Sequence, residues 1–402
     1  MRALVWDLSI PRYLATLATR RKVPALMFGK LSALSLRDVP APARPGDDWA
    51  VLAPRRTGLC GSDLSFLQFK ASPTLSVFSS SPSVLGHEIL ADVVDVGRGV
   101  THVKEGDRVV VDPVLHCATR GLPACARCAV GSYGTCARHA DGRGAILGYS
   151  KEYPGGFAER MVAHGSQLFR VADGTDDDLG VLAEPASVAV HAVLSHRPKG
   201  AESILVIGGG IIAFATLWAL RELFPACRVA LFATEGYQLE VARSLGAGAA
   251  LGDGDRDLLR AAGRDLGTTE LTPMMGRGFL ATGYDRVFDC IGSRESLDDA
   301  LRVTAPGGTI VLVGAAGVVP NIDLTTVWTR EQKLEGTVYY GFEEWRGERA
   351  RTFAITLELM AGTKLPLGSL VTHRFPLDAY ADAIRVNLDR RGTRSVKAVL
   401  SP

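Results

Sequence analysis

The chain has 402 residues, 47% of them hydrophobic and 22% charged, a balance that suits two globular domains and excludes a disordered or fibrous protein. Its 45 basic and 43 acidic side chains nearly cancel, which leaves no electrostatic footprint for nucleic acid or anionic lipid. No apolar run approaches the roughly 20 residues of a bilayer-spanning helix, so the expectation is a soluble, cytoplasmic protein whose partner is a small molecule.

Residues 1–6 read as a strand. Beyond them Arg12, Arg20, Arg21 and Lys22 flank apolar residues with no acid between Asp7 and Asp38, a pattern that imitates a targeting peptide. No small-residue cleavage site follows a continuous apolar core, so residues 8–30 read as a surface insertion. From 86 to 171, short β-branched runs split by glycines predict an irregular, strand-rich domain. Near residue 184 the pattern changes. Strands expected at 203–207, 228–232, 285–289 and 309–313 alternate with helices near 211–223, 236–245 and 295–304, which predicts a parallel sheet. After residue 340 the alternation fails, and 395–400 reads as a strand returning to the first domain.

Gly208, Gly209, Gly210, Ile211, Ile212 and Ala213 follow an expected strand and open an expected helix, matching the dinucleotide fingerprint. The glycines permit a tight turn and the close approach of a pyrophosphate, whose charge the free amides of the helix start receive. A carboxylate ending the second strand would bind ribose hydroxyls and repel a 2′-phosphate. Here that strand end is Ala233, Glu235 follows two positions later, and the loop holds no arginine, so Glu235 tips the preference towards NAD over NADP.

Seven cysteines, an odd number, argue against a pure disulfide framework and for metal ligation in a reducing compartment. Cys60, Ser62 and Asp63 share one short loop, and His87 and Glu88 share another. Catalytic zinc needs about three protein ligands and one open position. Cys60 and His87 supply two, and Glu184, at the expected domain boundary, competes with Glu88 for the third. Cys117, Cys125, Cys128 and Cys136, separated by seven, two and seven residues, suit a closed structural zinc in a lobe over about 112–140, with His116 and His139 as substitutes. Arg120, Arg127 and Arg138 are too few to make that lobe a nucleic-acid module.

Together these residues resemble the zinc-dependent medium-chain dehydrogenase/reductase family, and its sorbitol, threonine and glucose dehydrogenase branch more than its ethanol branch. The resemblance also runs through Gly106-Asp-Arg-Val109, Gly155-Gly-Phe-Ala-Glu159, Glu184-Pro185, Leu245-Gly-Ala247 and Phe288-Asp-Cys-Ile-Gly292. It implies an α/β fold: a GroES-like, β-rich catalytic domain over 1–185 and 341–402, and a Rossmann doubly wound parallel sheet over 186–340. It further implies that Cys60, His87 and a carboxylate hold the catalytic zinc, with Glu184 replacing the second thiol of the ethanol branch and Glu88 as an alternate or exchanging ligand, that Asp63 orients His87, that Ser62 takes the alcohol proton, and that Cys290 and Val313 border the nucleotide. Two departures stand out. Ser65 occupies the place of a histidine that usually passes the proton outward, and Leu122 occupies the place of the first lobe cysteine, for which Cys117 compensates. The loop 64–85 offers Phe66, Phe69 and Phe78 as an apolar pocket wall or as ordinary core. The implied activity is reversible, NAD(P)-linked oxidation of a secondary alcohol such as a polyol or sugar, by a homodimer or homotetramer. The alternatives are an NADP-linked carbonyl reductase and a non-catalytic zinc- and nucleotide-binding scaffold.

Overall fold

A computed structural model describes residues 1–19, 32–315 and 317–402. The spine of the first sheet is the long strand Trp49–Gly58, which pairs antiparallel with Glu88–Val96 in a register running from Ala50 opposite Val96 to Gly58 opposite Glu88. Met161–His164 covers the early half of the spine, while Arg108–Val111 and Leu168–Arg170 extend the sheet on the other side. Inward residues Ala50, Leu52, Ile89, Ala91, Val109 and Val111 are fully buried, and their packing locks that register, because a slip by one residue would turn each to the opposite face.

The returning strand expected near 395–400 is Lys397–Ser401. It pairs antiparallel with the end of the spine, Val399 opposite Gly58, and parallel with Val371–Pro376. Three segments distant in sequence therefore meet at one end of this sheet. Cys60 follows the spine, His87 precedes Glu88–Val96, and Lys397 opens the terminal strand.

The second sheet is parallel throughout its described strands, in the spatial order Ala249–Leu251, Arg228–Phe232, Ser203–Ile207, Tyr284–Asp289, Thr304–Leu312 and Lys333–Gly336. Numbered along the chain, this is the doubly wound order 3-2-1-4-5-6, with its crevice where the order reverses beside Ser203–Ile207. Thr304–Leu312 starts earlier than expected because Tyr284 pairs with Thr304 while Arg286 pairs with Thr309, so the intervening Pro306-Gly-Gly308 bulges out of register. A hairpin of Glu270–Leu271 and Phe279–Leu280, absent from the sequence expectation, precedes Tyr284–Asp289.

The sheets are joined by helices. Ala183–Ser195 presents Ala186, Ala189, Val190, Ala192 and Val193 as a buried face of small residues, which lets it lie close against Ile211–Leu223 and Thr352–Gly362. The domain division expected at 185/186 falls inside this helix. Within the amino-terminal insertion Ile10–Thr19 is helical, and the ring edge of Tyr13 meets Phe69 at 4.9 Å. Arg20, Arg21 and Lys22 lie outside the described residues. No helix among the described residues is long and apolar enough to cross a membrane.

Trp218 is 0% exposed on helix Ile211–Leu223, and its Nε1–H donates to Thr363 Oγ1 at 3.1 Å, just past helix Thr352–Gly362. Removing it leaves a cavity at the seam between the halves. Trp218→Ala is expected to cost about 3–5 kcal/mol in urea unfolding; a loss under about 1 kcal/mol would contradict this packing role.

Candidate active site and metal centres

Cys60 caps the helix Gly61–Leu67, and its backbone N–H donates to Asp63 Oδ2 at 3.0 Å, an acid in the first turn where the helix dipole favours it. Asp63 is completely buried. Its second oxygen accepts the Tyr149 hydroxyl at 2.8 Å, and that hydroxyl also lies 3.1 Å from Ser62 Oγ. Burial raises the Asp63 pKa, opposed by the neighbouring His87 and by these hydrogen bonds.

His87 Nδ1 stands 3.6 Å from Asp63 Oδ1, beyond hydrogen-bond length, and has no hydrogen-bond partner among the described residues. Asp63 hydrogen-bonds to Cys60 and Tyr149 and meets His87, the partner the sequence suggested, at ion-pair distance. Glu88 and Lys397 are both 1% exposed and form a buried ion pair, with Nζ 2.6 Å from each carboxylate oxygen. Lys397 also reaches Leu59 O at 3.4 Å. Gly58 makes room for this pair, since a Cβ there would lie 1.8 Å from Glu88 Oε2. Glu184, in the first turn of Ala183–Ser195, accepts the Tyr340 hydroxyl at 2.9 Å, and burial pushes its pKa up to about 7 against the pull of His87.

Donor atoms of Cys60, His87 and Glu88 lie within 4.8 Å of one another, and Glu184 is outside that group. Burial disfavours a proton on His87, yet the charges of Asp63, Cys60 and Glu184 raise its pKa well above the ordinary value. The site thus favours positive charge at this point. A thiol, an imidazole and a carboxylate around one point fit zinc.

In the cysteine lobe, Sγ of Cys136 lies 3.7 Å from that of Cys117 and 4.0 Å from that of Cys125. All four sulfurs fall within 4.8 Å of one another, and none is in a disulfide. Backbone amides point at the sulfurs: Cys125 N–H at Cys117, Cys128 N–H at Cys125 and Arg138 N–H at Cys136, at 3.4–3.5 Å. The Cys128 amide is the main cause that lowers the Cys125 pKa to about 6. Such a nest of donors suits thiolates around a tetrahedral metal. Leu122 is exposed, and Cys117 stands in the quartet. His116 stacks on Tyr133, and His139 is buried; desolvation lowers their pKa values to about 3 and about 4, and neither belongs to the quartet.

At the nucleotide crevice Gly208 has φ 134°, a conformation open to glycine, and its N–H donates to Phe232 O at 2.9 Å. Gly210 caps the helix that Ile211 and Ile212 begin. Ala233, Cys290 and Val313 follow the carboxyl ends of Arg228–Phe232, Tyr284–Asp289 and Thr304–Leu312, which lie on the two sides of the strand Ser203–Ile207 that leads into this turn. The Cys290 thiol is held protonated by burial. Glu235 caps helix Gly236–Ser244 in a capping box with Gln238. The absence of arginine around Glu235 holds only for its own loop. Arg256 Nη2 meets Glu235 Oε1 at 3.1 Å, and Arg391 Nε meets Oε2 at 3.3 Å.

The first half matches the family model for the alcohol dehydrogenase GroES-like domain over residues 46–173, and the second matches zinc-binding dehydrogenase over 218–353. The chain belongs to the zinc-dependent medium-chain dehydrogenase/reductase family. L-idonate 5-dehydrogenase of Vitis vinifera is 27% identical to this dehydrogenase over 86% of each chain. Sorbitol dehydrogenase 2 of Saccharomyces cerevisiae is 27% identical over 94% of this chain and 97% of its own. The solved structure of 2R,3R-butanediol dehydrogenase from Bacillus subtilis shares the fold, with TM-score 0.74 and 22% identity over 100% of this chain and 99% of that one. The protein is accordingly an oxidoreductase that works with zinc and a nicotinamide cofactor.

Sequence reading missed Tyr149, Tyr340 and Lys397. Only Lys397 left a signal, a lysine interrupting the apolar run Val396 to Leu400. In this dehydrogenase, Cys117→Ser is expected to remove one equivalent of zinc by elemental analysis and to lower the thermal midpoint, while Cys227→Ser, remote from both thiol sites, leaves zinc unchanged. Full zinc content in Cys117→Ser would exclude Cys117 as a ligand.

Proposed function

We propose that this dehydrogenase oxidises a secondary alcohol reversibly to a carbonyl compound, using zinc held by Cys60, His87 and a carboxylate. The carrying observation is the convergence of the Cys60, His87 and Glu88 donors within 4.8 Å, in a chain whose other sheet ends in a dinucleotide turn. When bound, zinc supplies Lewis acidity to the substrate oxygen and the nicotinamide, as NAD or NADP, supplies the hydride acceptor. Glu88 is the nearer third ligand, its charge shared with Lys397, and Glu184 is the alternate. A separate zinc in the cysteine quartet has a structural role.

By the family resemblance Ser62 Oγ takes the alcohol proton. With Ser65 where a histidine would continue the path, the Tyr149 hydroxyl 3.1 Å away is the next oxygen, and Asp63 lies 2.8 Å beyond it. Burial raises the Tyr149 pKa far above its ordinary value, so Tyr149 relays as a neutral hydroxyl, accepting one hydrogen bond and donating another. Phe66 stacks on Tyr149 at 4.8 Å and gives the site an apolar wall, whereas Phe69 packs against Trp6 and Tyr13. The Phe78 carbonyl binds the Ala145 amide.

Polyhydroxy substrates are favoured by the likeness to idonate and sorbitol dehydrogenases. The exposed edge strand Lys333–Gly336 beside the exposed Trp328 is the surface we propose for self-association as a homodimer or homotetramer, and the clustered thiols support a reducing, cytoplasmic setting.

A substrate screen read by absorbance of the reduced cofactor, with metal analysis, tests this reading. Cys60→Ala and His87→Ala are expected to lose more than the roughly 10–100-fold typical of removing an outer partner of a metal ligand. Unchanged turnover and zinc content in both would refute the mechanism. Tyr149→Phe is expected to lower kcat about 100-fold, within the range of acid–base contributions, with KM little changed; a rise in KM alone would deny it a place in proton transfer.

A further inference from the structure

The pairing of Glu235 reverses what its position in sequence suggested. Each carboxylate oxygen already faces a guanidinium, one from Arg256 and one from Arg391, so ribose hydroxyls would have to compete with two cations for the group. Instead it holds a guanidinium on either side. At the strand end, where a carboxylate would exclude a phosphate, stands the buried methyl of Ala233.

Given that the crevice binds a nicotinamide nucleotide, the geometry points to one carrying a 2′-phosphate, received between Arg256 and Arg391. Their side chains are 59% and 74% exposed, and among the described residues neither pairs with any carboxylate but Glu235. Each guanidinium has five N–H donors, so most remain for an incoming anion. A phosphate offers more charge and more acceptor oxygens than a carboxylate, in the geometry that guanidinium groups bind in pairs.

A third guanidinium supports the assignment. Arg390 Nη1 lies 3.4 Å from where a Cβ on Gly210 would stand, beside the dinucleotide turn, and has no carboxylate partner among the described residues. Arg390 and Arg391 come from the short helix Arg390–Thr393, which is docked onto Gly236–Ser244 by the Tyr237 hydroxyl donating to Arg390 O at 3.1 Å. The guanidinium of Arg394 lies 6.0 Å over the Tyr237 ring. Among the described residues Glu235 is the one carboxylate that pairs with any of Arg256, Arg390 and Arg391, since Asp255 and Asp257 beside Arg256 are paired with Arg260 and Arg264.

Calorimetric titration of the whole zinc-loaded enzyme with 2′,5′-ADP and with 5′-AMP tests the assignment without turnover. Wild type is expected to bind 2′,5′-ADP at least about tenfold more tightly, an advantage that shrinks as salt rises. In the double variant Arg256→Ala/Arg391→Ala that advantage disappears while 5′-AMP affinity stays the same, and in Glu235→Gln it widens. Equal or tighter binding of 5′-AMP by wild type would overturn the inference, as would equal loss of both ligands in the double variant. Binding of neither ligand by folded wild type would remove the nucleotide site itself, and with it the dehydrogenase reading; preference for 5′-AMP would leave that reading intact.

Discussion

One backbone register holds the metal site together. With Gly58 set opposite Glu88, the next turn of one strand delivers Cys60 and the residue before the other delivers His87. The same end of the sheet takes a third strand through Val399 opposite Gly58, and this puts Lys397 against Glu88. Taking both charges out of water is expensive, and the cost is offset only because the ammonium contacts both carboxylate oxygens and finds a backbone carbonyl as well. The absence of a side chain at Gly58 is part of the same arrangement. A larger residue would push Glu88 off its partner.

Electrostatics then separates two kinds of carboxylate. Glu88 is paired in place with a protein ammonium, while Asp63 and Glu184 are stabilised by the charge of His87 and by hydroxyl and amide donors. Tyrosine donors tolerate either charge state of their partner, whereas an ammonium does not. The carboxylate grouped with the thiol and imidazole is therefore the one held by an ammonium, while Glu184, with a pKa raised to about 7 by burial, is the one pushed towards its protonated form.

Much of this was legible in the sequence where the chemistry is local. The dinucleotide turn, the two ligand loops and the cysteine spacing each depend on a few adjacent residues, and the strands at 203–207 and 228–232 matched because uninterrupted apolar runs have one way to be buried in a parallel sheet. The loop cysteine at 117 was found despite its displacement because the quartet needed a fourth thiol. What escaped depends on distance along the chain. Tyr149 reaches Asp63 across 86 residues, Tyr340 reaches Glu184 across 156, and Arg391 reaches Glu235 from the far side of the parallel sheet's sequence. No periodicity or spacing encodes such meetings. The bulge before Thr309 and the hairpin at Glu270–Leu271 were likewise invisible, because turns set their geometry and apolar patterning does not.

The strand Lys397–Ser401 also constrains the order of folding. The contact between Lys397 and Glu88 closes a span of 309 residues, and every residue of the parallel sheet lies within that span. Elongating at the ribosome, the chain makes its first sheet's spine early but its neighbouring strand only after the nucleotide-binding region has been synthesised. Closure of so long a loop is slow compared with the local pairing of the parallel sheet's units. Until that loop closes, the ammonium that pairs with Glu88 is not in place beside the other groups of the site.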